Sequence, residues 1–454
     1  MSAPMSALNP RILRIELRRS SALVVGGLLF LAGVAGLYPL VATHQGDGLD
    51  GRWFPVLVTF ERIMLVVIWP LALGGGAWHS RRDRRSRMDE LLATTPRPVR
   101  LRVPPGAAAM AISLVLAYLL ILAAVAVGVT GHTDYGAMNW LPIVGVGALS
   151  LVAGAWLGMG IGRLMPSVYT PPLLVVAGFL VLLAPIELSR TESPGALGLF
   201  MPNLRLQFNE YSTIAGSMSL AQTVWFSALA ASGLLLFMLT RRGALVAVVP
   251  ALAGLVVALP IASGAPADGV VADPVAAAEI CTTDGEPVVC MTRAHARGLS
   301  RMVGPARRAL KLLAVLPDAP TSVHEVTDFR PGPQPAGEAW LNTNSLTVTR
   351  KADDDELVVS ILAGAGTREC AYRDVSDANY RLVRSIAAAW LYGVYPAPGE
   401  RRSFGPAAWP EADADWKQLK ALPEPEQVKR IAAVRRAGFT CPNNLTAALT
   451  GGGS

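Results

Sequence analysis

Trp78-His79-Ser80-Arg81-Arg82-Asp83-Arg84-Arg85-Ser86-Arg87-Met88-Asp89-Glu90-Leu91-Leu92-Ala93-Thr94-Thr95-Pro96 lies between two long apolar runs, and Arg97, Arg100 and Arg102 follow it. Eight arginines beside two membrane-length runs put this segment in the cytoplasm, because positively charged loops resist translocation. Met88, Leu91 and Leu92 fall at i, i+3 and i+4, one apolar stripe on an otherwise charged helix. Pro96 and Pro98 end that helix. A short amphipathic helix between two spans reads as a docking element. The alternative is a solvated basic loop that only fixes topology, since the arginines of 81–87 alone satisfy the orientation rule.

Working outward, apolar runs of span length recur near 21–42, 55–78, 107–130, 141–162, 172–188, 223–240 and 243–262. The 454 residues are 52% hydrophobic and only 16% charged, where a soluble domain carries about a quarter charged residues. Seven spans with the N-terminus inside leave the C-terminus outside. Fifteen of the 19 arginines before residue 265 then fall in or beside inside segments, and only Arg52, Arg62, Arg190 and Arg205 do not. The net charge of +7 is therefore a topology signal and not a nucleic-acid footprint. Asn9-Pro10 opens an amphipathic helix through Arg19, with Leu13 and Leu17 on one edge and Arg11, Arg14, Arg18 and Arg19 for lipid headgroups. It reads as an interfacial elbow (1–20) feeding the first span. Arginine in large excess over lysine in this half, with abundant alanine, suggests a GC-rich bacterial genome. Gly451-Gly452-Gly453-Ser454 reads as a linker scar.

Residues 265–450 are soluble in character and carry all four cysteines: Cys281, Cys290, Cys370 and Cys441. An even number confined to one segment predicts two disulfides in an oxidising compartment, in agreement with the outside placement from the arginines. Of three possible connectivities, Cys281–Cys290 with Cys370–Cys441 is favoured, because Asp284-Gly285 is a hairpin-turn signal. Strand-like runs lie near 287–291, 322–329, 339–349 and 356–362, and helical patterns near 293–315, 376–393 and 425–437. The stripe Val428, Ile431, Val434 reads as core. The expected fold is thus an α-helical polytopic membrane domain of seven spans (21–264), followed by an extracytoplasmic α+β domain with two disulfides.

The chemistry is read mostly from what the chain lacks. Its first lysine is Lys311, so no phosphate-cradling P-loop exists before the last span. The spans carry almost no ionisable residues. Glu61-Arg62 is the exception, expected near the outer interface as a paired, snorkelling couple because Trp53 and Phe54 are only about two turns away. Gly154, Gly158 and Gly162 repeat every fourth residue and open one face for close helix packing. Metal binding is not expected: no C-x-x-C is present, and His324-Glu325-Val326-Thr327-Asp328 alternates like a strand. With His295 and His324 the only histidines in the soluble part, no catalytic residue is assigned.

The elbow from Asn9-Pro10 to Glu16-Leu17-Arg18-Arg19, two spans, and the helix ending Asp89-Glu90-Leu91-Leu92-Ala93-Thr94-Thr95-Pro96 resemble the ABC-2-type permease superfamily over about 9–240. The resemblance implies a permease subunit of an ATP-driven exporter, a separate ATP-binding subunit that brings ATP and magnesium, and a second permease protomer. Docking would fall to 81–95, with Met88, Leu91 and Leu92 seated in the partner and Arg84, Arg85, Asp89 and Glu90 around them. The seventh span and the outer domain depart from the six-span plan of that family. Val383-Arg384-Ser385-Ile386-Ala387-Ala388-Ala389-Trp390-Leu391-Tyr392-Gly393 is similar in spacing to the zinc helix of gluzincin aminopeptidases. Ser385, Ile386 and Ala389 stand where that helix needs His, Glu and His, so the resemblance implies a fold reused without its peptidase chemistry; an ordinary core helix is the other reading. The competing functional class is a membrane-anchored receptor or assembly factor without transport.

Overall fold

The structure, a computed structural model, describes residues 10–19, 21–44, 53–85, 99–129, 140–188, 195–202, 211–239, 243–266, 269–283, 285, 287–326, 334–341, 353–370, 379–399, 409–440 and 445–451. They divide into two units: one runs to Ala272, and the other begins at Asp273.

The first unit is built of α1 (Pro10–Arg19), α2 (Ala22–His44), α3 (Trp53–Arg85), α4 (Val99–Val129), α5 (Trp140–Leu164), α6 (Thr170–Leu188), α7 (Gly216–Met238) and α8 (Ala244–Ser263). From α2 to α8 the span-length parts of these helices are apolar with little sidedness, as in helices whose outward faces meet lipid; α3 ends in Arg81–Arg85 and α4 begins with Arg100 and Arg102. Among the described residues, five stretches are long and apolar enough to cross a membrane: Phe60–Arg81, Val103–Ala126, Trp140–Leu164, Gly216–Met238 and Ala244–Ser263. Ile12–Arg18 and Ala22–Gly36 reach that length only when taken together across a 51° bend, and Thr170–Ala184 is a shorter apolar helix. The chain is a multi-pass membrane protein.

The expected boundaries shift in two places. The span expected at 223–240 begins at Gly216, so Gln222 belongs to a helix and not to a loop. Its amide donates to the Gly198 and Met201 carbonyls at 2.9 and 2.8 Å and ties the 3-10 turn Gly195–Phe200 to α7. After α8 the chain does not leave at once: β2 (Val270–Ala272) pairs antiparallel with β1 (Ser212–Ile214), which moves the unit boundary past 265.

Small residues set the helix packing. A Cβ on Gly158 would lie 1.9 Å from the Leu73 carbonyl oxygen, and one on Gly162 would lie 2.4 Å from Ser80 Oγ and 2.8 Å from Ala77 Cα. Gly154 faces the Trp69 ring at 3.2 Å. Facing them, a Cβ on Gly76 would meet the Ala155 carbonyl oxygen at 2.0 Å. On its other side α5 packs on α7, where a Cβ on Gly233 would fall 2.4 Å from Leu157 N. Close backbone approach of this kind is what small residues supply where lipid offers no hydrophobic drive.

In the second unit β3 (Glu279–Cys281), β4 (Val289–Thr292), β5 (Ser322–Glu325) and β6 (Glu338–Leu341) form one sheet in that order, β3 antiparallel to β4 and the other pairs parallel. Val289, Met291, Val323, Ala339 and Leu341 line one face of it and belong to a core shared with α9 (Leu299–Leu313) and α10 (Asp354–Leu362). Residues 356–362, expected as a strand, are helical. Asp353 Oδ1 accepts from Glu356 N at 2.8 Å as the N-cap, and Asp354, Asp355 and Glu356 suit the positive end of the helix. A short apolar run reads alike as buried strand or buried helix, and here the cap decides. Then come α11 (Tyr380–Tyr392), α12 (Trp409–Lys420), α13 (Glu424–Gly438) and α14 (Leu445–Thr450). Ile431 and Val434 are fully buried in that core, with Val428 packed against it. Of the cysteines, Cys281 and Cys290 form a disulfide across β3 and β4, closed by Gly285 at φ +78°. Cys370 is also disulfide-bonded, and Cys441 lies outside the described residues.

Candidate functional site

An ionisable couple within the spans, Glu61 and Arg62, is not at a surface. Glu61 and Arg62 on α3 are both fully buried, which overturns the snorkelling expectation. Counting turns from Trp53 gives depth along a helix but says nothing of which neighbours close over it. Tyr118 of α4, fully buried too, donates its hydroxyl to Glu61 Oε1 at 2.6 Å. On α5, a Cβ at Gly147 would lie 2.3 Å from both Glu61 Oε1 and Tyr118 Oη, so only glycine leaves room for that bond. Arg62 Nε stands 3.2 Å from Glu61 Oε2, an ion pair by proximity without hydrogen-bond alignment. Arg62 Nη1 and Nη2 and the Gln222 Oε1 have no hydrogen-bond partner among the described residues. One turn before Arg62, Gly147 and Gln222 stand Val58, Ile143 and Met218, which share one apolar cluster. A buried guanidinium with unfilled donors, in a unit made otherwise of apolar helices, is suited to a carboxylate, a phosphate or ordered water.

A polar thread continues along the α3–α5 seam. Ser150 Oγ donates to the Gly147 carbonyl at 2.7 Å, and Trp69 Nε1 donates to the Ser150 carbonyl at 3.0 Å. With Gly154, Gly158 and Gly162 it forms a single line of small residues down α5, which begins earlier than the three-glycine repeat shows.

The arginine-rich stretch lies at the other end of α3, which stays helical through Arg84 and Arg85. Arg81 to Arg85 thus continue the span helix and do not open a separate one. Met88, Asp89, Glu90, Leu91 and Leu92 lie outside the described residues. Next to the arginines, Ser21 Oγ and His79 Nδ1 are 2.7 Å apart and buried, pinning the chain before α2 to α3. The elbow α1 packs along α4, with Leu13 and Leu17 against the bundle core.

In the second unit α11 carries Ser385, Ile386 and Ala389 into the core, all buried. The buried charged residue of that helix is Arg384. It donates to Thr367 Oγ1 at 3.0 Å, the Arg368 carbonyl at 2.8 Å and the Thr367 carbonyl at 2.5 Å. Arg435 of α13 donates to the Ala365 and Ala336 carbonyls at 2.6 and 2.7 Å. Burial pushes Arg435 down to about 10, so it remains charged at neutral pH. Together they hold the turn in which Gly364, Ala365 and Gly366 all have positive φ. On the core face of the sheet, Glu325 accepts from Thr292 N at 2.7 Å and Thr292 Oγ1 at 2.8 Å, and contacts His295 Nδ1.

Such an architecture defines a multi-pass helical membrane protein joined to a disulfide-bonded unit of mixed helices and strands. No protein-family model, no curated protein and no solved structure matches the chain.

Proposed function

We propose that this chain is the membrane subunit of an ATP-driven exporter, oriented with α1 and the arginine-rich end of α3 in the cytoplasm and the second unit outside. The observation that carries the reading is the joint placement of two elements: α1 docks along α4 through Leu13 and Leu17 and bends by 51° into α2, while α3 runs on as a helix into Arg84 and Arg85. An elbow beside a basic helical extension is the arrangement through which a separate ATP-binding subunit would push on the spans. The chain has no lysine before Lys311, so the nucleotide, its magnesium and the P-loop belong to that partner. A second permease protomer, a copy or a related chain, completes the path. Met88, Leu91 and Leu92 seat in the partner and Asp89 and Glu90 rim the contact.

The test is capture. Leu91→Asp with Leu92→Asp abolishes co-purification of a co-expressed ATP-binding subunit while membrane insertion is unchanged; undiminished capture refutes the docking. The competing reading, a membrane-anchored receptor or assembly factor, draws on the separate core of the second unit. It requires that function survive when the spans are replaced by a single one.

A further inference from the structure

Strand register brings His324 of β5 onto the sheet face that carries Glu279, Cys281 and Cys290. Cys281 pairs with Cys290 across β3 and β4, and Cys290 pairs with His324 across β4 and β5. Residues paired across a ladder share a face, so Cys281, Cys290 and His324 form one row. Glu279, two residues before Cys281 on β3, is on that face as well. The opposite face carries Val289, Met291 and Val323 into the core, so the row lies on the side away from it. Ligand atoms of Glu279, Cys281 and Cys290 all lie within 4.8 Å of one another. His324 Nδ1 is 3.3 Å from Glu279 Oε1.

The last distance is informative. Zinc bonds of about 2.0–2.1 Å to nitrogen and oxygen give a tetrahedron edge of about 3.3–3.4 Å. The imidazole and carboxylate therefore already stand at the separation of two ligands on one ion. In the oxidised chain that separation is a hydrogen bond, and His324 stands outside the group whose ligand atoms lie within 4.8 Å of one another, so the imidazole must swing toward the sulfurs to complete the set. What blocks the site is the bond between the two sulfurs, since a disulfide sulfur is a poor ligand and a thiolate a strong one.

We propose that the Cys281–Cys290 disulfide masks a zinc site made of Cys281 Sγ, Cys290 Sγ, His324 Nδ1 and a Glu279 carboxylate oxygen, opened by a dithiol reductant. One thiolate of the reductant attacks a sulfur of the pair and forms a mixed disulfide; its second thiol displaces the protein sulfur. Two electrons and two protons pass to Cys281 and Cys290, and the reductant leaves as its own disulfide. Zinc then binds the two sulfurs as thiolates and releases their two protons to solvent. The occupant is a borderline-soft divalent ion: two thiolates with one imidazole disfavour magnesium and calcium.

The full chain, purified in detergent, is loaded with zinc or cobalt(II) before and after treatment with a dithiol that is then removed. The oxidised chain takes up none at this site. The reduced chain takes up about one ion per chain, with thiolate-to-cobalt charge-transfer absorption and tetrahedral d–d bands. Zinc then shields Cys281 and Cys290 from alkylation, read peptide by peptide in the mass spectrometer, while Cys370 and Cys441 react as before. His324→Ala and Glu279→Gln weaken binding by at least about tenfold. Cys281→Ser with Cys290→Ser abolishes uptake. Equal uptake by the oxidised chain, no uptake after reduction, or shielding of Cys370 and Cys441 in place of the other two overturns the proposal. The shielding measurement needs no variant, so a substitution that fails to fold does not spoil the test.

Discussion

Replacing Arg62 with methionine tests how the bundle is closed. The guanidinium and the Glu61 carboxylate are both fully buried, 3.2 Å apart, and the carboxylate's other described contact is the Tyr118 hydroxyl at 2.6 Å. Arg62→Met keeps most of the side-chain volume but strands the carboxylate. Breaking a buried pair from one side costs about 3–5 kcal/mol, because the remaining charge is left without its counterion. For a unit of this size each kcal/mol moves the midpoint by about 2–4 °C, so the loss is roughly 6–20 °C. Glu61→Gln with Arg62→Met removes both charges and leaves an amide for Tyr118. Exchange of a buried pair for neutral groups of similar volume is often neutral, so the double variant recovers most of the loss. The assay is the thermal midpoint of the detergent-solubilised full chain, followed by fluorescence-detected size exclusion. A double variant as unstable as Arg62→Met, or a single variant with no loss, refutes the closed pair.

Further outcomes follow from the same geometry. Gly158→Ala places a methyl 1.9 Å from a backbone oxygen of α3 and costs about 1–3 kcal/mol, whereas Gly145→Ala, with nothing within 4 Å, lowers the midpoint not at all. Arg384→Met leaves the Thr367 and Arg368 carbonyls without their donor; it speeds proteolysis at the 363–368 turn and lowers the second unit's midpoint, about 1–3 kcal/mol for each stranded group. The Tyr392 hydroxyl and the Arg308 guanidinium hold the Asp355 carboxyl below the usual carboxylate range. Such a group stabilises above its unfolded value of about 3.9 and loses that contribution as pH falls through its lower folded value. Asp355→Asn is therefore less stable than the parent chain at neutral pH, and the gap closes in acid titration of the unfolding midpoint.

What could be read without coordinates was what depends on one dimension. Apolar length found the helices α2 to α8, proline and asparagine marked the start of α1, and a glycine turn paired Cys281 with Cys290. Register is different in kind, because which residues of β5 lie beside β4 depends on a parallel crossover of about 30 residues. The sequence therefore pairs Cys281 with Cys290 but does not show that His324 joins their row. Burial of Glu61 and Arg62 escaped for a related reason: the room for them is made by Gly147, a residue on another helix whose contribution is a missing side chain. Segment 356–362 failed on ambiguity alone, and Asp353 three residues earlier was the signal that resolves it.

The seam between α3 and α5 has a mechanical corollary. From Gly147 through Gly154 and Gly158 to Gly162, α5 withholds a side chain at each point where α3 or its neighbours come closest. Prising the helices apart would expose peptide oxygens and a buried charge, and Trp69, lying on Gly154 and bonded to the Ser150 carbonyl, marks their register. Separation of the two helices is therefore the costly movement, and the buried cluster of Glu61, Arg62 and Tyr118 raises that cost at one end of the seam.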